Sequence, residues 1–200
     1  MKAMIVSGAA HLRAKQAHAA GDTIVYFQGG IHAGEIDGKD AGFWWLKNAL
    51  KDKSDLLKRV TIIFVPVFNV DGHERFGKNN RPNQIGPEEM GWRSTAWNLN
   101  LNRDYTKAET TEMQAMLRLI HEWDPIVYVD LHVTDGAQFQ PTLSLGFSPG
   151  HLSLKVAAAN DGNRKLVELG AELETSAQRR LEKTVPMTLL IYPDFIEEEP

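Results

Sequence analysis

Three runs rich in β-branched and aromatic residues constrain this chain most: TIVYFQGG (23–30), RVTIIFVPVF (59–68) and PIVYVDLH (125–132). Each has the length of a strand, and the middle one is apolar nearly throughout, the pattern of a strand covered on both faces. Helical spacing lies between them. From about Ile36 to Leu50, residues Ala41, Trp44, Trp45, Ala49 and Leu50 predict a broad apolar helix face. Farther on, Met113, Met116, Leu117, Ile120 and Trp123 recur at i, i+3, i+4, i+7 and i+10, and Thr106 with Glu109 suits a capping box ahead of them. Residues 151–183 read as one long or two shorter helices with a mostly charged surface, and PMTLLIY (186–192) reads as a final strand. Strands alternating with helices predict an α/β fold, a mixed and mostly parallel sheet with helices on both faces. With no repeat and no low-complexity linker, 200 residues are expected to form a single domain with a real core.

Composition narrows the chemistry. The balance of 22 basic and 26 acidic residues, net −4, leaves no electrostatic footprint for nucleic acid, and no Lys/Arg block suggests a membrane surface. No apolar run approaches the ~20 residues of a membrane span. The start, MKAMIVSGAAHLRAKQAHAAG, has a short apolar patch without the form of a signal peptide. The chain has no cysteine, so a metal would have to be held by imidazole and carboxylate.

One stretch raises that possibility directly. GGIHAGEIDGKDAGFWW (29–45) places His32 and Glu35 in the few loose residues between a strand and a helix. In sheets of this kind ligands bind beyond the carboxyl ends of the strands. His132 closes another strand, so two imidazoles and a carboxylate can converge at one sheet edge. Such a set suits zinc, with a fourth position left for water. The H-x-x-E spacing by itself also arises by chance, and a histidine at a strand end is as readily a hydrogen-bonded surface or core group. His11, His18, His73, His121 and His151 carry no comparable pattern. Residues 69–105, rich in Asn, Gly, Pro and Arg and longer than a plain connection, read as a functional loop region.

Four motifs, in order, carry a resemblance: GGIHAGE, PVFNVDGHERFG, GWRSTAWNLNLNRDY and VDLHVTDG. Together, over about residues 23–140, they resemble the zinc carboxypeptidase (carboxypeptidase-A-like) metallopeptidases, in a bacterial branch. The resemblance implies a carboxypeptidase-like fold with one zinc ion, held by His32, Glu35 and His132. It implies a peptide substrate whose free C-terminal carboxylate is gripped by Asn102 and Arg103, a planar two-pronged donor beside an amide. Arg93 corresponds to the arginine that stabilises the oxyanion formed at the scissile carbonyl.

The departures from the family pattern also carry expectations. Gly34 stands where an arginine often precedes the zinc glutamate, which removes a substrate contact. Asn100 replaces an aspartate that orients a zinc histidine; its amide oxygen still accepts from an imidazole but brings no charge. Thr134 stands where a tyrosine is common. Hydrolysis also needs a carboxylate to carry the proton to the leaving amine, and in the family that glutamate lies on a late strand. No such strand is evident after His132: Glu197, Glu198 and Glu199 read as a solvated acidic run, and Tyr192 sits in an expected strand. The chain is therefore expected to be an interior part, residues 1–200, of a longer catalytic domain, inactive without the missing base. Two other readings share these residues: a deacylase of N-acyl amino acids of the aspartoacylase kind, and a non-catalytic zinc- or peptide-binding module.

Overall fold

A computed structural model describes residues 1–82, 84, 86–133, 143–147, 172, 175–177, 179, 180, 183 and 187–191. In chain order the elements are β1 (Met4–Val6), α1 (Ala14–Ala20), β2 (Thr23–Gly29), α2 (Asp37–Lys51), β3 (Val60–Val65) and α3 (Val70–Glu74). There follow β4 (Gly77–Lys78), β5 (Glu89–Met90), α4 (Thr111–Trp123), β6 (Val127–Leu131), β7 (Leu143–Phe147) and β8 (Met187–Ile191). Short 3₁₀ turns span Asp55–Lys58 and Leu101–Arg103. The chain divides into two units, Met1–Gly136 and Ala137–Pro200.

In the first unit four strands form a sheet in the order β1-β3-β2-β6. β2 runs parallel to both β3 and β6, and β1 adds an antiparallel edge. Alternation along β3 divides the core into two layers. Ile63 and Val65 point to one side, where they meet Ile24 and Tyr26 of β2, Ala14 and Ala17 of α1, and Met113 and Met116 of α4. Ile62 and Phe64 point to the other, against Leu46 and Ala49 of α2 and Leu57. The mostly parallel sheet with helices on both faces is thus as the strand pattern predicted, and the near-continuous apolar run is the strand that serves both layers.

Two local expectations need correction. The buried face of α2 is not the aromatic one: Ala41, Trp44, Trp45 and Leu50 are exposed, Trp44 by 69%. The helix meets the sheet through Gly38, Gly42, Leu46 and Ala49. A Cβ on Gly42 would fall 2.3 Å from the Phe64 ring, and one on Gly38 would fall 2.5 Å from Leu131 Cβ. The backbone lies too near the strands for large side chains between them. The start of α4 also differs. Its cap is Thr110, whose Oγ1 accepts from the Met113 N–H at 3.1 Å, not Thr106. Asp104 takes over the preceding turn, accepting from the Glu109 N–H, the Thr110 N–H and the Thr110 hydroxyl. Ala108 there has φ +52°, which no helix tolerates. The expected face of α4 is present: Met113, Met116 and Trp123 are buried and Leu117 and Ile120 pack beside them.

In the second unit β7 and β8 pair in parallel, Leu143 opposite Met187 and Phe147 opposite Ile191. β8 realises the strand expected at 186–192. Most of the helical stretch expected over 151–183, along with Thr134, Tyr192 and Glu197–Glu199, lies outside the described residues.

Candidate metal centre

β2 and β6 are hydrogen-bonded neighbours, in a register that sets Gly29 opposite Leu131. Their carboxyl ends therefore lie side by side, although 102 residues separate Gln28 from its partner Asp130. Gly30, at φ +65°, turns the chain sharply out of β2 in the left-handed conformation glycine adopts without strain. The next residues form a tight turn in which the Glu35 N–H donates to the His32 carbonyl at 3.0 Å. This turn aims both side chains the same way. His132 follows directly on Leu131, the last residue of β6.

The three side chains meet. His32 Nδ1 lies 2.8 Å from Glu35 Oε1, and His132 Nδ1 lies 3.0 Å from Glu35 Oε2. The rings are tilted, with centroids 5.2 Å apart. One ligand atom from each residue falls within 4.8 Å of the others, the one group of this kind among the described residues. The donor set fits a zinc ion: two imidazoles and a carboxylate, no sulfur, with the two nitrogen–oxygen spacings just under the ~3.3 Å that bonds of 2.0–2.1 Å impose at tetrahedral angles. His32 and Glu35 are buried, while His132 keeps 36% of its side chain exposed, so the group opens on one side.

Charge is balanced inside the group. Burial raises the Glu35 carboxyl, but hydrogen bonds from His132 and His32, the field of His32 and the Val133 N–H at 3.2 Å outweigh it and hold the group far below the usual carboxylate range. Burial lowers His132, yet hydrogen bonds and charge from Asp130 and Glu35 push it up to about 9.

Two participants escaped the sequence reading. Asp130 Oδ2 lies 3.1 Å from His132 Nε2, the carboxylate–imidazole contact that fixes ring orientation and basicity at metal sites. Asp130 is in turn held by the Tyr105 hydroxyl at 3.0 Å and by Gln28 Nε2 at 3.3 Å. Burial, joined by the charge of Asp130, raises the phenols of Tyr26, Tyr105 and Tyr128 and keeps them protonated. The signal was available in YVDLH: positions 128, 130 and 132 share one face of a strand. The second participant, Arg81, donates from Nη2 to Glu35 Oε1 at 3.2 Å. It comes from an irregular loop 46 residues away, and nothing local marks it.

The remaining expected residues take the following places. Asn100 turns its Oδ1 to the Asn102 N–H at 3.0 Å, opening the 3₁₀ turn, and so spends its acceptor within its own loop. Arg103, exposed, bonds from Nη1 to the Asn102 carbonyl at 2.9 Å. Asn102 and Arg103 thus stand three and two residues before Tyr105, which reaches Asp130. Arg93 is half-buried, and its carbonyl accepts from Asn69 Nδ2 at 3.0 Å. The same Asn69 caps α3 through the Gly72 N–H. Gly91, two residues earlier, packs so closely on Ala33 that a Cβ there would meet Ala33 Cβ at 2.9 Å. This brings the Arg93 segment against the turn between His32 and Glu35.

The chain is similar to known proteins in sequence and in fold. The sequence profile of the zinc carboxypeptidases matches residues 1–143. Among solved structures, a Shewanella denitrificans protein named for carboxypeptidase A is 20% identical, with 68% of this chain and 35% of that chain covered and a TM-score of 0.51, a likeness of fold. A metallo-carboxypeptidase from Burkholderia cenocepacia is 23% identical over 61% of this chain and 32% of that one, with a TM-score of 0.43. One from Pseudomonas aeruginosa, in complex with (2-guanidinoethylmercapto)succinic acid, is 18% identical over 67% and 35%, with a TM-score of 0.44. The chain spans about a third of the length of these three structures. A search of the curated proteins gives no match.

Proposed function

This chain belongs to the zinc carboxypeptidase family, and from that premise we propose that it carries the metal centre and carboxylate anchor of a hydrolase that removes C-terminal residues from peptides. The convergence of His32, Glu35 and His132 on one point supports the reading most. Those three residues would hold the zinc, which supplies Lewis acidity when bound.

The other residues divide the remaining work. Arg93, whose carbonyl is held by Asn69 and whose segment packs beside the turn that carries two ligands, would meet the negative charge that develops on a carbonyl oxygen under attack. Arg103, exposed and backed by Asn102, offers the fork that a free carboxylate requires. Asp130 orients His132. The proton-carrying glutamate we place outside the described residues. This division predicts that ligand binding survives where turnover does not.

The test separates binding from turnover. Metal analysis of the purified chain should find one zinc, lost when His32, Glu35 or His132 is replaced. Calorimetry should detect a peptide with a free C-terminal carboxylate but not the same peptide amidated, and Arg103→Ala should remove that binding. Equal binding of the amidated peptide would refute the anchor, and a zinc content unaffected by the ligand substitutions would refute the centre.

A further inference from the structure

We propose that Arg81 is the built-in counter-charge of the Glu35 carboxylate, a positioning residue that keeps the ligand set assembled independently of any bound cation. The proposal rests on the metal-centre reading above. The side chains of Arg81 and Glu35 are 3% and 2% exposed, and Nη2 stands 3.2 Å from Oε1, the oxygen that also faces His32. Glu35 is the one carboxylate Arg81 meets among the described residues. Its Nη1 is buried as well and has no acceptor among them. Among the described residues the guanidinium is therefore committed to this carboxylate rather than shared across a network.

The backbone is shaped to receive it. A Cβ on Gly34 would meet Arg81 Cγ and Met90 Sδ, each at 3.0 Å. The stem of Arg81 lies over the residue that precedes Glu35, in space that any side chain at position 34 would contest. Gly34 and Arg81 are thus complementary: one leaves the room, the other fills it from the far loop.

The electrostatics give the arrangement a direction. A carboxylate this deeply buried is costly unless paired, and removing its partner leaves the charge uncompensated. Imidazoles that ligate a metal do so neutral, so the ligand set ready to receive an ion carries the Glu35 charge with no imidazolium to offset it. A guanidinium stays charged at every relevant pH. A divalent cation would be a second positive charge on the same carboxylate and would compete with the first. Arg81 therefore stabilises the fold without metal and weakens the hold on metal, leaving a centre that is formed in advance and able to exchange its ion.

The experiment compares the full chain with Arg81→Met, Arg81→Lys and the double variant Arg81→Met/Glu35→Gln. Melting is followed after chelation and after reloading with zinc chloride, and zinc affinity is measured by competition with a chromophoric chelator. Arg81→Met should lower Tm far more in the chelated protein than in the reloaded one, and by linkage should bind zinc about tenfold tighter or more. Arg81→Lys should stay near the parent, and the double variant should recover the chelated Tm. A space-filling role alone would lower both melting points equally and leave zinc affinity unchanged; that result, or weaker zinc binding, overturns the proposal. If Arg81→Met folds under neither condition, recovery in the double variant supports the proposal and continued failure refutes it. A parent chain that takes up no zinc defeats the metal-centre reading and the proposal together, whereas zinc binding unaltered by Arg81→Met defeats the proposal alone.

Discussion

The two imidazoles of the candidate centre are held in contrasting ways. His32 sits in a buried turn three residues from Glu35, closed by a hydrogen bond from the Glu35 N–H to the His32 carbonyl. A handful of consecutive residues defines that half. His132 is partly exposed at the end of a strand, and its position depends on the pairing of β6 with β2 and on the props Asp130, Tyr105 and Gln28. The near half is a local motif; the far half is a property of the sheet. A register slip of one residue would turn His132 to the opposite face, while leaving His32 and Glu35 untouched.

Substitutions can break or sharpen this contrast. The largest effect is expected from Asp130→Asn, which touches only the far half. It removes the negative partner of His132 and should weaken zinc binding by about 10–100-fold, measured by chelator competition; unchanged affinity would mean that the near half alone sets the centre. Next is Gly38→Ala. Its Cβ would crowd Leu131, the residue before His132. Overpacking of this kind costs about 1–3 kcal/mol, visible in urea unfolding, and zinc binding should weaken along with it. A stability loss with full zinc affinity would show that strand placement does not govern the far imidazole.

The smallest effect marks the control. Asp104 lies outside both halves and accepts from the Glu109 N–H and from the N–H and hydroxyl of Thr110. Burial raises its carboxyl, but these bonds and the charge of Lys107 leave it below the ordinary value. Its contribution is therefore complete above the unfolded value of about 3.9 and is lost as pH falls through the lower folded one. Asp104→Asn should cost about 1.5 kcal/mol near neutrality, flatten that acid-side component in unfolding curves, and leave zinc binding as it was.

Much of this was legible from residue order. The strands at 23–30, 59–68 and 125–132 and the amphipathic face of α4 follow from period and composition, because a buried strand must be apolar on the faces it covers. The aromatic face drawn on α2 failed because periodicity reports which side is apolar and not how near the helix lies to the sheet; Gly38 and Gly42 decide that distance. The cap at Thr106 failed because Asp104 offers the backbone a competing set of acceptors. Asp130 was within reach of strand alternation. Arg81 was not, since no local pattern ties a loop arginine to a carboxylate 46 residues earlier.

Residue order by itself determined the alternation of strands and helices and the near half of the centre, because periodicity and contacts among residues a few positions apart specify both. Tertiary structure alone decided that His132 closes the ligand set, that Asp130 rather than Asn100 meets a ligand imidazole, and that Arg81 faces Glu35. Those contacts depend on which strands pair and in what register, and charge and hydrogen bonding act through space whatever the distance along the chain.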